Sequence, residues 1–107
     1  MKALPRIRQF VFICKTIAAA DELKMLFNLG EPYFDPDVSF FGLENAVFAI
    51  GDQFLEIVTP LPKLDPNKVA GGRFLSRSGP GGYMMILQVA DIAVARTRVD
   101  AMGIRRV

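Results

Sequence analysis

Phe10-Val11-Phe12-Ile13-Cys14-Lys15-Thr16 opens a unit that the chain opens again at Met85-Ile86-Leu87-Gln88-Val89-Ala90-Asp91. Each run is apolar for most of its length, as a strand buried on both faces would be. Each leads into a stretch of helical periodicity that closes on a glycine, at Leu29-Gly30 and at Met102-Gly103. Laid over one another without a gap, the copies place Gln9 on Met84, Phe10 on Met85, Val11 on Ile86, Phe12 on Leu87 and Thr16 on Asp91. The closing glycines then miss by two residues. What the copies share is pattern and not identity.

Working outward, residues 7–15 predict the first strand, and Thr16 is placed to cap a helix over 18–28. Ala19, Leu23, Leu26 and Phe27 fall on one face of that helix. Asp21 and Glu22 sit in its first turns, where the helix dipole favours them. Gly30 is expected to end it in the left-handed conformation. Pro32 and Pro36 restrict residues 31–42 to a short strand or an extended edge.

Gly42-Leu43-Glu44-Asn45 reads as a turn into a strand over 46–50. Gly51-Asp52 reads as a tight turn, and 54–58 as the returning strand of a hairpin. Residues 61–82 read as a connection with a helical turn near Gly71 to Arg77 and a flexible joint at 78–82. Its glycines are not a phosphate loop, because no Gly-Lys-Ser/Thr follows them. The second copy begins at Tyr83. Asp91 suits a helix N-cap, Ile92, Ala95, Val99 and Met102 give one apolar face, and Ile104 to Val107 would open another strand. The organisation predicted is one domain over 1–107, made of a module at 1–62, a linker at 63–82 and a partial second module at 83–107.

At 107 residues the chain is one domain with room for a real core. Hydrophobic residues make up 51% and charged residues 22%, a globular composition with an apolar excess that fits either chance or surface meant for a partner. A net charge of +2, with no basic stripe interleaved with aromatics, argues against nucleic acid. Cys14 is the only cysteine, so the chain forms no internal disulfide and no paired-cysteine metal knuckle. Met1-Lys2-Ala3-Leu4-Pro5-Arg6 lacks the apolar core of a signal peptide, and no run of about 18 apolar residues spans a membrane. A reducing, cytoplasmic setting is the expectation.

The order strand, helix, three strands, then strand and helix resembles the vicinal oxygen chelate superfamily, which includes glyoxalase I, extradiol dioxygenases and bleomycin-resistance proteins. The resemblance is carried by 6–12, by Leu43-Glu44-Asn45-Ala46-Val47-Phe48-Ala49-Ile50-Gly51-Asp52, by Gln53-Phe54-Leu55-Glu56-Ile57-Val58-Thr59-Pro60 and by 87–93. It implies an α+β fold: a βαβββ glyoxalase-like module followed by an incomplete second βα unit.

In metal-dependent members, paired modules enclose a cavity holding a divalent ion on His and Glu from the first and last strands of each module. Carried over, the first-strand position falls on Gln9, its counterpart in the second module on Met84, and the last-strand position on Glu56. Of these, Glu56 matches best and is the one metal ligand implied. The chain has no histidine. An amide binds a metal weakly through its oxygen, and a thioether is a poor partner for a hard ion. A divalent metal is therefore implied only if a longer protein completes the site, and none for this chain alone.

The ligand-binding set expected is Gln9, Phe48, Phe54, Glu56 and Met84. Plainer readings stay open beside it: Gln9 as a rim residue, Met84 as core packing, and Glu56 as a solvated edge or salt-bridged carboxylate. Alternation places Phe54 and Val58 on the face of Glu56. Cys14 reads as a small buried hydrophobe, since no histidine is present to activate it.

Three functions remain: a glyoxalase-like lyase, isomerase or dioxygenase with a degenerate metal site; a metal-free protein that sequesters a small molecule in the cavity, like the bleomycin-resistance proteins; or an inactive fragment. The strand at Tyr83 to Val89 would keep an open edge, so a homodimer or higher oligomer is expected, with strands exchanged between chains as one form of it.

Overall fold

A computed structural model describes residues 5–107; the reading of Met1-Lys2-Ala3-Leu4 as lacking a signal peptide falls outside them. The two repeated strands lie side by side. β1 (Arg6–Ile13) and β4 (Gly81–Gln88) pair antiparallel, with Phe10 opposite Met85 and Val11 opposite Met84. On its other side β1 runs parallel to β3 (Gln53–Pro60), which pairs antiparallel with β2 (Leu43–Ile50). The sheet order is β2-β3-β1-β4. Three helices complete the α+β fold: α1 (Ala18–Phe27), α2 (Ala70–Ser78) and α3 (Ile92–Ala101).

The hairpin forms as its sequence predicts. Gly51 takes a φ of 59°, and the turn sets Ile50 opposite Gln53, so that Phe48 faces Leu55 and Val47 faces Glu56. Period-two alternation then sorts the side chains onto two faces. On one, Ala46, Phe48 and Ile57 pack with Ala20 of α1, joined by Phe12, Leu55 and Leu23. On the other, Val11, Ile13, Leu43 and Val58 form a second core, against which Phe74 and Leu75 of α2, Val38 and Tyr83 pack. The two faces thus have different covers: α1 on one, and α2 with the residue 36–41 turn on the other.

Several local expectations are corrected. The helix α1 ends two residues before Gly30, because Asn28 takes the left-handed conformation (φ 53°) and the Leu29 N–H bonds to the Lys24 carbonyl; asparagine is one of the few residues besides glycine that visit that region. Thr16 contributes its backbone carbonyl to the Ala19 N–H, and no side chain caps α1. Leu26 and Phe27 overhang the sheet and stay exposed. Residues 31–42 give a single bridge, Tyr33 to Val47, and then a 3-10 turn at Pro36–Phe41. Asn45 belongs to β2 and not to a turn.

The region 63–82 is more structured than its composition suggests. A 3-10 turn at Pro66–Lys68 precedes α2, and Gly81 and Gly82 pair with Ile13 and Phe12 as part of β4. Gly71 and Gly72 are both buried in α2. A Cβ on Gly72 would stand 1.9 Å from the Pro66 carbonyl oxygen, and one on Gly71 would press Ile13 and Leu43 at 3.1 Å. The first approach is one only glycine permits; the second would require the Ile13 and Leu43 side chains to give by a few tenths of an ångström. Gly72→Ala is expected to cost about 2–3 kcal/mol, since backbone must move to make room; a urea melt of the variant measures it.

In α3, Asp91 accepts from the Ala93 and Val94 N–H groups, as its N-cap role predicts. The apolar face of α3 finds no cover on the sheet: no residue of α3 is buried, and Ile92, Val94 and Met102 are exposed. Residues 104–107 form no strand. Among the described residues, no helix is long and apolar enough to cross a membrane.

Candidate functional site

β2, β3 and β1 each send one polar side chain to the face away from α1: Asn45, Glu56 and Gln9. They meet. Gln9 Nε2 donates to Glu56 Oε1 at 2.5 Å, and Asn45 Nδ2 donates to Glu56 Oε2 at 2.8 Å. The orientation of Asn45 is fixed from behind, because the Asp35 N–H donates to its Oδ1 at 2.8 Å. A carboxylate among apolar neighbours needs such partners, since an unpaired one would be costly to desolvate. Glu56 is only 8% exposed and Asn45 only 3%. Both carboxylate oxygens therefore have a neutral amide donor, and no cation pairs with Glu56 among the described residues.

Glu56 also lines a cavity of about 630 Å³. Val11 and Val58 form its floor beside the carboxylate, Met84 and Ile86 of β4 form one side, and Phe41 and Val69 stand over it. Its remaining polar groups are the hydroxyls of Ser39 and Tyr83 and the ammonium of Lys68. The volume lies in the range of small-molecule pockets, and a mostly apolar wall with a few polar groups is their usual chemistry.

Of the residues expected from sequence, Gln9, Glu56 and Met84 come together here. Phe54 shares their face at the open end, half-buried, with the Arg8 guanidinium 4.7 Å from its ring centre. Phe48 does not join them. It is 1% exposed and sits on the opposite face under α1, because the hairpin pairs it with Leu55 and not with Glu56. Asn45 was missed. The signal was available: two hairpin positions from Val47, which faces Glu56, it must point to the same side.

The donor set does not fit a hard divalent ion. Glu56 is the one carboxylate, its two oxygens already accept from amides, and the Asn45 oxygen is held by Asp35. Met84 offers only sulfur. No group of three or more His, Cys, Asp or Glu side chains converges among the described residues.

A second apolar cavity, of about 720 Å³, lies on the other face between α1 and the sheet, with Phe10, Leu26 and Phe27 among its walls. Cys14 is half-buried there. Burial, and secondarily the Glu22 carboxylate, push its thiol above the ordinary cysteine range, which makes it less reactive at neutral pH.

Set against solved structures, the chain has the vicinal oxygen chelate fold. The particular likeness is to methylmalonyl-CoA epimerase. The Streptomyces coelicolor enzyme in complex with 2-nitronate-propionyl-CoA matches at a TM-score of 0.80 and 19% identity, over 96% of this chain and 73% of that one. The Mycobacterium tuberculosis enzyme matches at a TM-score of 0.73 and 16% identity, over 91% of this chain and 63% of its own. A hypothetical protein from Bacillus halodurans matches at 0.78 and 17% identity, over 92% of this chain and 69% of that one. By sequence, no family model and no curated protein matches. At these identities the likeness is one of fold.

Proposed function

We propose that this glyoxalase-like domain binds a small organic molecule in the cavity beside Glu56, without a metal ion, and that the position that holds a metal in related folds serves here as a hydrogen-bonding anchor. One observation carries the reading: Glu56 is buried, held by two neutral amides, and still part of the cavity wall. Each carboxylate oxygen has two lone-pair directions and one amide donor, which leaves acceptor capacity for a ligand N–H or O–H. The preferred ligand is apolar or aromatic with a donor at one end. The Streptomyces coelicolor epimerase structure is of a complex with 2-nitronate-propionyl-CoA, which is in keeping with a small-molecule role for the fold. In this reading residues 1–62 form the first module, 63–82 link it and add Lys68 and Val69 to the cavity wall, and 83–107 begin a second module whose first strand adds Met84 and Ile86. The protein works in the cytoplasm as a homodimer or higher oligomer.

Phenethylamine and naphthol serve as probes in thermal-shift titrations. A ligand at a hundredfold its Kd stabilises by about 2.7 kcal/mol, on the order of 10 °C for a domain of this size. Glu56→Gln should abolish most of that shift while the protein stays folded. A titration with Mn²⁺ that gives a stoichiometric site lost in Glu56→Gln would instead support the metal-dependent reading. No response to any probe or metal would support the inactive fragment.

A further inference from the structure

We propose that the cavity takes an amphoteric ligand: an apolar body whose N–H or O–H end meets Glu56 and whose far end is an oxyanion, a carboxylate or phosphate, held among Lys68, Ser39 and Tyr83. This names the class of molecule for the binding role proposed above and rests on that role.

The cavity wall holds one carboxylate, Glu56, and one cation, Lys68. They come from different elements, Glu56 from β3 and Lys68 from the 3-10 turn that leads into α2. Glu56 has its two amides, and Lys68 pairs with no carboxylate among the described residues. A pocket that keeps opposite charges apart suits a molecule that carries the complement of each, because complementary potential gives specificity.

Tyr83 reaches the cavity through a bulge. Alternation allows only one of two neighbours in a strand to face a given side, yet Tyr83 and Met84 both line the cavity. Val11 stands opposite Met84 while Phe12 stands opposite Gly82, so Tyr83 is the extra residue between them. A bulge re-aims a side chain in this way. The Tyr83 ring lies edge-on to Phe74 of α2, with centroids 5.0 Å apart, and its hydroxyl would be 3.6 Å from a Cβ on Gly71. Ser39 arrives from the other side: the Gly42 N–H bonds to its carbonyl at 3.0 Å, and Gly42 packs against the Val69 side chain. The three groups thus gather around residues 68–71. The side-chain hydroxyls that are hydrogen-bonded among the described residues are those of Thr59 and Thr97, so those of Ser39 and Tyr83 are free to donate to a ligand.

The surrounding charge has the sign an oxyanion needs. Residues 61–82 carry Lys63, Lys68, Arg73 and Arg77 against Asp65 alone, a net +3, whereas the whole chain is +2. The Arg73 guanidinium leans on the Asn67 carbonyl at 3.4 Å, beside Lys68, and it too pairs with no carboxylate among the described residues. A mouth of one sign draws in an ion of the other and raises its association rate.

Matched probes test this by isothermal titration calorimetry. Phenethylamine is compared with aminoethylbenzoate, its relative with a carboxylate para to the side chain, and with tyramine phosphate; naphthol is compared with hydroxynaphthoate. In low salt each anionic probe should bind about tenfold more tightly than its parent, as a charge-assisted contact allows. Lys68→Ala should cut that preference to about twofold and Tyr83→Phe to about threefold, while Lys68→Arg keeps it. Lys63→Ala, outside the cavity wall, should leave it intact. Raising the salt to about 1 M should also shrink it. A larger gain for the carboxylate or for the phosphate supports the proposal and says which oxyanion the site takes. Anionic probes that bind no better than their parents, or a preference indifferent to Lys68→Ala and Tyr83→Phe, overturn the oxyanion end; parents still bound in a Glu56-dependent way then leave the binding role standing. No binding by any probe removes both.

Discussion

Phe48→Ala should lower stability by about 3–5 kcal/mol and leave ligand affinity unchanged. The cost follows from burial: Phe48 is among the largest fully buried side chains, and removing a buried phenylalanine combines lost transfer energy with a cavity that closes only in part. Domains of this size hold about 5–15 kcal/mol in total, so the variant needs cool conditions for a binding assay. The unchanged affinity follows from strand register. Phe48 stands opposite Leu55 and packs against Ala20, Ala46 and Ile57, with the sheet between it and Glu56. Urea melts and a probe titration on the folded variant measure the two effects separately. A tenfold loss of affinity in the folded state would mean that the ligand lies under α1, in the second cavity.

Asn45→Asp should produce a protein whose stability depends strongly on pH. The replacement keeps an acceptor for the Asp35 N–H but puts an oxygen where Asn45 Nδ2 now stands, 2.8 Å from Glu56 Oε2. Two buried carboxylates at that distance cannot both ionise, and the pair takes up one proton in the folded state. In the unfolded chain both would ionise near pH 4. The folded variant therefore binds the extra proton, and its stability falls as pH rises. Near pH 4 it should approach the wild type. By pH 8 it should lie about 2–4 kcal/mol below, at 1.36 kcal/mol for each unit by which the pair's affinity for the proton is raised. Chemical melts at both pH values give the slope. A variant as stable at pH 8 as the wild type would show that Asn45 does not bond to Glu56 in solution.

The parts of this fold that could be read from sequence are those set by local chemistry. The repeated strands, the Gly51-Asp52 hairpin and the Asp91 cap each depend on a few neighbouring residues. Glu56 was legible as a carboxylate on an apolar face, and Gln9 as its neighbour through the resemblance. Phe48 was placed on the wrong side because the hairpin register was not carried through. Asn45 was missed because Gly42-Leu43-Glu44-Asn45 reads as a turn, which left it out of the strand whose alternation sets it beside Glu56. The glycine-rich stretch that becomes α2 resists reading for a deeper reason. Glycine disfavours helix, and only the three-dimensional approach of Pro66, Ile13 and Leu43 shows why it is needed there. Nothing local to 92–102 says whether its apolar face finds a sheet of its own chain.

The chain of hydrogen bonds from Asp35 through Asn45 and Glu56 to Gln9 also bears on how such a protein can evolve. It links three strands and the segment leading into the 36–41 turn. Changing any one of Gln9, Asn45 or Glu56 alone strands a buried polar group, at about 1–3 kcal/mol. Changing all three to apolar residues of similar volume removes the whole requirement at once. In descendants of this sequence the trio should accordingly be kept together or lost together, and a lineage that has lost it should have given up Glu56 as a ligand anchor while keeping the fold.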